Sequence, residues 1–131
     1  MSQISGTQTG TNGDDIVSGS ILDFNVTVDT TGAGITQANV FPGAGNDTIF
    51  GQALITAESG REVTVTGIGI SDTVAFADTG TDTFRAVGAG DGFLVGTGIG
   101  LGVARSRLFG SDDADIFLIE ATGRSNEQAM S

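Results

Sequence analysis

The sequence predicts an all-β protein built as a right-handed parallel β-solenoid of three to four coils, each of about 33 residues. A short turn rich in glycine and aspartate occurs four times, and its last aspartates, at positions 15, 47, 82 and 115, lie 32, 35 and 33 residues apart. The segments between the turns alternate apolar and polar residues, which is typical of strands. Because a repeat of this length buries its apolar face only by stacking on its neighbours, the four turns should form a column.

The strand segments follow one another along the chain. Apolar residues alternate with polar ones over residues 22–28, then over 62–76 and again over 93–103. Residues 114–122 fit a strand or a short helix, and the repeat favours a strand. No segment has an apolar stripe with a period of about 3.6 residues, so little helix is expected. The glycine run Gly96–Gly102 indicates a strand that packs closely against another.

The chain length predicts one domain. We place a single solenoid domain at residues 1–122 and a polar C-terminal tail at residues 123–131. An antiparallel β-sandwich is the alternative, since alternating strands joined by frequent turns also fit that class. The sandwich, however, does not explain the regular recurrence of the turns.

The composition limits the chemistry and the partners. The 131 residues include 16 acidic and 5 basic ones, with a net charge of −11, and contain neither histidine nor cysteine. Such a surface repels nucleic acid and anionic lipid, so we expect no nucleic-acid partner and no membrane insertion. Histidine-based triads, thiol nucleophiles and typical zinc sites are excluded. Paired carboxylates could still catalyse glycoside cleavage, but the chain has no tyrosine or tryptophan to stack on a sugar, and we expect no enzymatic activity.

Two of the turns resemble the calcium-binding repeats of the repeats-in-toxin (RTX) family. These turns are GTNGDD at residues 10–15 and GAGND at residues 43–47, and the family's nonapeptide is G-G-x-G-x-D-x-U-x, with U a large apolar residue. The apolar U position is met at all four turns. The resemblance implies a β-roll-like solenoid with calcium between stacked turns. In that family the nonapeptides run in tandem, whereas here single turns are separated by long inserts, so calcium between stacked turns requires wider coils.

The turns also suit calcium on chemical grounds. Calcium takes six to eight oxygen ligands, and a glycine-rich turn offers backbone carbonyls beside carboxylates. The ordinary interpretation is that aspartate, asparagine and glycine are simply what turns are made of. The predicted metal ligands are the four repeated aspartates, with neighbouring residues as support: Asp15, Asp47, Asp82, Asp115, Asp14, Asn46, Gly13, Gly45, Gly80 and Asp113, to which Asp78 and Asp112 add local charge.

These observations predict a secreted, non-enzymatic, calcium-binding structural protein. The turns around Asp15 and Asp115 are of the same kind as the inner ones, and no capping segment is evident, so the last coil of one copy could stack on the first coil of the next. Head-to-tail contacts of this kind generate an open filament, surface layer or matrix. The RTX resemblance implies a bacterial protein exported by type I secretion and located outside the cell or on its surface. The alternative is a monomeric calcium-dependent adhesion module that binds a cell-surface glycan.

Overall fold

The computed structural model describes residues 3–92, 96–110 and 114–124, which form ten β-strands and no helix. The segment expected to be a strand or a short helix is a strand, and it runs to Arg124, two residues past the expected end of the domain at residue 122. The remainder of the tail, like Phe93 and Val95 of the third alternating segment, lies outside the described residues. The strands are β1 (Ile4–Thr9), β2 (Ile16–Val26), β3 (Thr30–Gly43), β4 (Thr48–Ala57), β5 (Thr64–Ser71), β6 (Val74–Ala77), β7 (Thr83–Asp91), β8 (Thr97–Ala104), β9 (Arg107–Phe109) and β10 (Ile116–Arg124).

The strands form two parallel sheets. One sheet has the order β10-β7-β4-β2; the other has the order β8-β5-β3-β6-β9, with β1 also paired to β3. Every strand pair in the described residues is parallel. The chain therefore crosses from one sheet to the other and returns one level higher, so the predicted parallel β-solenoid of three to four coils is confirmed. The antiparallel sandwich is wrong, because a sandwich of that class needs antiparallel ladders.

The apolar side chains that follow the turns stack in register inside the solenoid. Val17 pairs with Ile49, Ile49 with Phe84, and Phe84 with Phe117. The rings of Phe84 and Phe117 stack with their centroids 4.8 Å apart. A core forms around this column because the facing sheet contributes Ile35, Val40 and Ile70. The period-two pattern of the sequence thus has the expected physical meaning, with alternate residues pointing inward.

The two sheets come into close contact between this core and a second one. The second cluster contains Val26, Ile55, Ala57, Val63 and Val65. Between the clusters lie inward-facing glycines, and a Cβ atom at Gly88 would meet the carbonyl oxygen of Leu101 on the opposite sheet. A Cβ at Gly100, within the predicted close-packing run, would likewise meet the carbonyl oxygen of Thr122. Glycine is therefore required by the close approach of the two backbones.

The sheet that contains β3 bends at one residue of each coil. These residues have left-handed φ values of 80, 49, 50 and 49° and are Gly6, Gln37, Asp72 and Arg105. In the last two coils the bend divides the strand, separating β5 from β6 and β8 from β9. The Asp72 carboxylate accepts hydrogen bonds from Arg105 Nε at 2.7 Å and Nη2 at 3.0 Å. This paired contact joins the third and fourth coils at the bend.

Candidate functional site: an aspartate column at the turns

The four repeated turns stack at one edge of the solenoid, where the chain passes from the β3 sheet to the β4 sheet. Their final residues, Asp15, Asp47, Asp82 and Asp115, form what we call the aspartate column. The two inner members are almost fully enclosed, Asp47 being 1% exposed and Asp82 0%. Asp15 and Asp115, in the first and last coils, are half-buried. The predicted column of equivalent aspartates is therefore present.

Three of the four carboxylates in the column, those of the second, third and fourth coils, accept a hydrogen bond from the backbone of the coil before. The Asp15 N–H donates to Asp47 Oδ1 at 2.7 Å, and the Asp47 N–H donates to Asp82 Oδ1 at 2.8 Å. The Asp82 N–H donates to Asp115 Oδ1 at 2.9 Å. A hydrogen bond to a charged acceptor contributes about 1.5–3 kcal/mol, roughly twice a neutral one. The aspartates therefore hold the turns of successive coils together.

The backbone carbonyls of the same aspartates link the coils a second time. Thr48 N–H donates to the Asp15 carbonyl at 2.9 Å, and Thr83 N–H donates to the Asp47 carbonyl at 2.8 Å. The fourth coil repeats the contact, with Ile116 N–H donating to the Asp82 carbonyl at 2.8 Å. These bonds join the turns to the strand ladder that follows, so the aspartate column is continuous with the sheet.

A second column of side chains lies one residue earlier and points the opposite way. The Asn46 N–H donates to Asp14 Oδ1 at 2.8 Å, and the Thr81 N–H donates to Asn46 Oδ1 at 2.8 Å. Here the acceptor belongs to the earlier coil, whereas in the aspartate column it belongs to the later one. Ala114 occupies the next position in the fourth coil and has no polar side chain to extend the column. Neighbouring turns are therefore linked by side-chain hydrogen bonds in both directions along the stack, and these bonds fix the spacing of the turns.

Glycine allows these turns to stack without obstruction. Gly45 and Gly80 have φ values of 104° and 113°, which residues with a Cβ atom rarely adopt. A Cβ on Gly45 would also meet the carbonyl oxygen of Gly13, and one on Gly80 would meet that of Gly45. Turn conformation and close stacking thus explain Gly45 and Gly80, two of the three glycines that were predicted to support calcium binding.

Burial changes the electrostatics of the inner aspartates. Removal from water raises the pKa of Asp47, the hydrogen bond from the Asp15 N–H lowers it, and the nearby charges of Asp15 and Asp14 raise it again, for a net increase. Asp47 Oδ2 is buried and accepts no hydrogen bond. A buried oxygen without a partner is costly. Burial of the Asp47 carboxylate therefore carries an electrostatic cost in the folded state.

The first coil satisfies its own aspartate. The Thr11 N–H donates to Asp15 Oδ2 at 2.7 Å, and Thr11 Oγ1 lies 3.1 Å from Oδ1 and 3.0 Å from Oδ2. The Asp15 carboxylate thus has local donors where the inner carboxylates have the backbone of a neighbouring coil. The first turn is therefore closed by a contact between two of its own residues, Thr11 and Asp15. The sequence did not predict this contact.

The structure brings the predicted calcium ligands into stacked turns but not into a compact cage. In the described ranges, no group of three or more aspartate or glutamate side chains is placed to hold one metal ion. Oδ1 atoms of Asp14, Asn46 and three members of the aspartate column accept backbone hydrogen bonds. Asp78 Oδ1 accepts one from Thr79 at 2.9 Å. Asp112 and Asp113 lie outside the described residues. Calcium binding stays a prediction.

Two further inter-coil contacts were missing from the sequence prediction. At the opposite corner, Asp29 Oδ1 accepts the Thr64 N–H at 2.9 Å, with a sequence separation of 35. Arg105 pairs with Asp72 across a separation of 33. Both separations lie within the 32–35 residues that separate the repeated aspartates, so the repeat spacing could have suggested them. The residue types at these positions are not repeated from coil to coil, however, and residue types were the signal that revealed the aspartate turns.

Fold and site together define the class of this protein as a parallel β-solenoid with an internal aspartate column. No family model matches the chain, and neither a curated protein nor a solved structure was found to match it. The RTX resemblance accordingly stays a prediction based on the turns. Within the described ranges, no helix is long and apolar enough to cross a membrane.

Proposed function

We propose that this protein is a non-enzymatic structural protein whose solenoids join end to end into an extracellular filament, surface layer or matrix. The described residues use their carboxylates to join one coil to the next. The same backbone and side-chain contacts would join one copy to another if a further coil were added. Stacking identical units in this way produces an open assembly because each new copy presents the same free end again.

The exposure of the last coil carries the proposal. Every residue of β10 is exposed, and its apolar residues Ile116, Phe117, Leu118 and Ile119 are 46–48% exposed. Ile49 and Phe84, the inner residues equivalent to Phe117, are 1% and 0% exposed. In the described structure β10 pairs with β7 on one side only. A long apolar edge strand is a template for another chain, which proteins that stay monomeric usually cover or charge.

Rough energetics are consistent with association. Fully burying one such apolar side chain contributes about 1.5–3 kcal/mol. Of the four half-exposed side chains, only Phe117 and Ile119 point inward, and burying this pair offers roughly half of the full value for two side chains, to which new ladder hydrogen bonds would add. Association costs about 4–15 kcal/mol in lost freedom. The balance is close, so conditions that reduce repulsion between copies with a net charge of −11 should control assembly.

We propose that calcium is the ion that controls assembly. It is supported by the acidic charge and by the glycine-rich turns that place carboxylates in a column. An ionised carboxylate has about four lone-pair positions, so an oxygen that accepts one backbone amide can still contact a cation. A divalent ion between neighbouring turns would offset the repulsion among the aspartates and link folding to the ion. A location outside the cell, where calcium is abundant, belongs to the same proposal.

Sedimentation velocity tests both parts. The purified chain is measured in chelator and then across rising calcium, with magnesium as the ion control. We expect calcium to convert a small species into large assemblies and magnesium to do so weakly or not at all. A compact monomer at every calcium concentration would instead support the monomeric adhesion or glycan-binding module.

A matched pair of variants makes the test specific to the last coil. I119E adds a charge to the inward face of the exposed edge strand, whereas Q52E adds the same charge on the outer face of an inner coil. We expect I119E to abolish the large species and Q52E to retain them. Equal loss in both variants would mean that charge alone prevents assembly and would remove the support for β10 as the contact.

A further inference from the structure

The first and last coils are opposite edges of the same two sheets. β2 and β10 are the two outer strands of one sheet; in the other, β1 lies beside β3 and β8 and β9 lie at the far side. Each of the first three coils is therefore covered by an edge of the kind that the first coil leaves free. The last coil, at the far edge, has no coil above it among the described residues.

The register of the ladder specifies how a further coil would fit. Ile16 pairs with Thr48, Thr48 with Thr83, and Thr83 with Ile116, without a shift at this position. We propose that the first coil of a second copy of this chain covers the last coil in the same parallel register, with Ile16 of that copy opposite Ile116. This inference rests on the proposed function and names its partner and its geometry.

The side chains at the two edges are complementary under this register. Phe117 stacks on Phe84 with one face of its ring and would present the other to Val17 of the next copy. On the other sheet, Phe109 is the last of three rings stacked on the outer face. The ring centroids of Phe109 and Phe76 are 4.8 Å apart, and those of Phe76 and Phe41 are 5.7 Å apart. Thr9 holds the equivalent position in the first coil and would cover Phe109. Small side chains would therefore close both aromatic stacks.

One pair of opposite charges across the two edges favours the first coil as the partner. Residues 3–29 contain four aspartates and no arginine, whereas residues 96–124 contain three of the five arginines beside four acidic residues. The ladder pairs Asp23 with Ile55, Ile55 with Gly90 and Gly90 with Gly123. Asp23 of the next copy would therefore lie opposite Gly123, one residue from Arg124.

Engineered cysteines can read the register directly, because the chain has none of its own. Ser18 aligns with Phe50, then Arg85, then Leu118, and both end members are exposed. Paired strands lie about 4.8 Å apart, within the range of roughly 4.4–6.8 Å that a disulfide spans between Cα atoms. The double variant S18C/L118C should therefore cross-link copies in the assembled state.

The matched control is S20C/L118C, which displaces one cysteine by two residues along the strand. Its Cα atoms would be about 8 Å apart, beyond the reach of a disulfide. After oxidation of the assemblies we expect S18C/L118C to yield a ladder of covalent oligomers at least about tenfold more abundant than S20C/L118C does. A second in-register pair, I16C/I116C, repeats the test should either substitution at Ser18 or Leu118 disturb folding.

The outcomes separate this inference from the proposed function. Large species in sedimentation with cross-links only in the displaced pair would overturn the register and leave end-to-end assembly standing. Covalent dimers from L118C alone would show two last coils in contact and overturn both the inference and the filament. Absence of any species larger than a monomer under all calcium conditions would overturn the proposed function itself.

Discussion

The inner and outer turns of the solenoid have similar sequences but different environments. Asp47 and Asp82 are buried and hold the backbone amides of neighbouring coils, whereas Asp15 is half-buried and held by Thr11 of its own turn. The apolar positions two residues later differ in the same way, since Phe84 is enclosed and Phe117 is open on one side. In a repeat protein the role of a residue therefore depends on whether a coil lies above and below it.

The largest difference should appear in the stacked phenylalanines. F84A removes a fully buried ring between two coils and should cost about 3–5 kcal/mol of the free energy of unfolding. F117A removes a ring that is already half-exposed and should cost about 1–2 kcal/mol in the monomer. Urea denaturation of the monomeric protein in chelator measures both. Equal losses would mean that the last coil is as well packed as the inner ones.

The next largest difference should appear in the aspartate column. D47A removes the acceptor for the Asp15 N–H and should destabilise by about 1–3 kcal/mol. D47N keeps an acceptor oxygen while removing a buried charge whose pKa is raised by burial, so it should be close to neutral or stabilising at pH 7. D15A loses contacts that water can replace and should cost about 0.5–1 kcal/mol.

The same three variants also test the metal prediction. Thermal unfolding in chelator and in calcium gives the calcium-dependent gain in stability for each one. If aspartates in the column bind calcium, D47N should lose part of that gain while keeping its stability in chelator. An unchanged gain in D47N would contradict Asp47 as a ligand.

The smallest effect should be the acid sensitivity of the bend between the last two coils. Hydrogen bonds from Arg105 and Ser71 lower the pKa of Asp72 from 3.8 to about 2. A lowered pKa in the folded state means that the pair stabilises the fold above about pH 4 and that this contribution is lost as the pH falls towards 2. The contribution is small because both side chains are exposed to solvent.

Comparison with D72N measures this effect. The wild-type protein should lose more stability than D72N between pH 4 and pH 2, as followed by denaturant unfolding at each pH. R105A serves as the partner control and should match D72N. Parallel curves for all three proteins would contradict a role for the pair.

Much of the fold could be predicted because the same residue types recur at equivalent positions of successive coils. Aspartates at a regular spacing with an apolar residue two positions later indicated the coil length, and the observed ladder pairs those apolar residues in the expected register. Alternation along the strands indicated which side chains point inward. The bend residues Gln37, Asp72 and Arg105 could not be predicted, because their shared left-handed backbone is imposed by the bend and not by a shared side chain.

The sequence alone determined the parallel solenoid, the length of its coil and the alignment of its aspartates. These follow from spacing and alternation, which are local properties of the chain. Tertiary structure decided what the aspartates contact: Oδ1 of Asp47 and Asp82 accepts an amide hydrogen bond from a residue 32 or 35 positions earlier, and Asp15 is satisfied within its own turn. Only stacking determines which donors surround a buried carboxylate, because those donors come from residues distant in the chain.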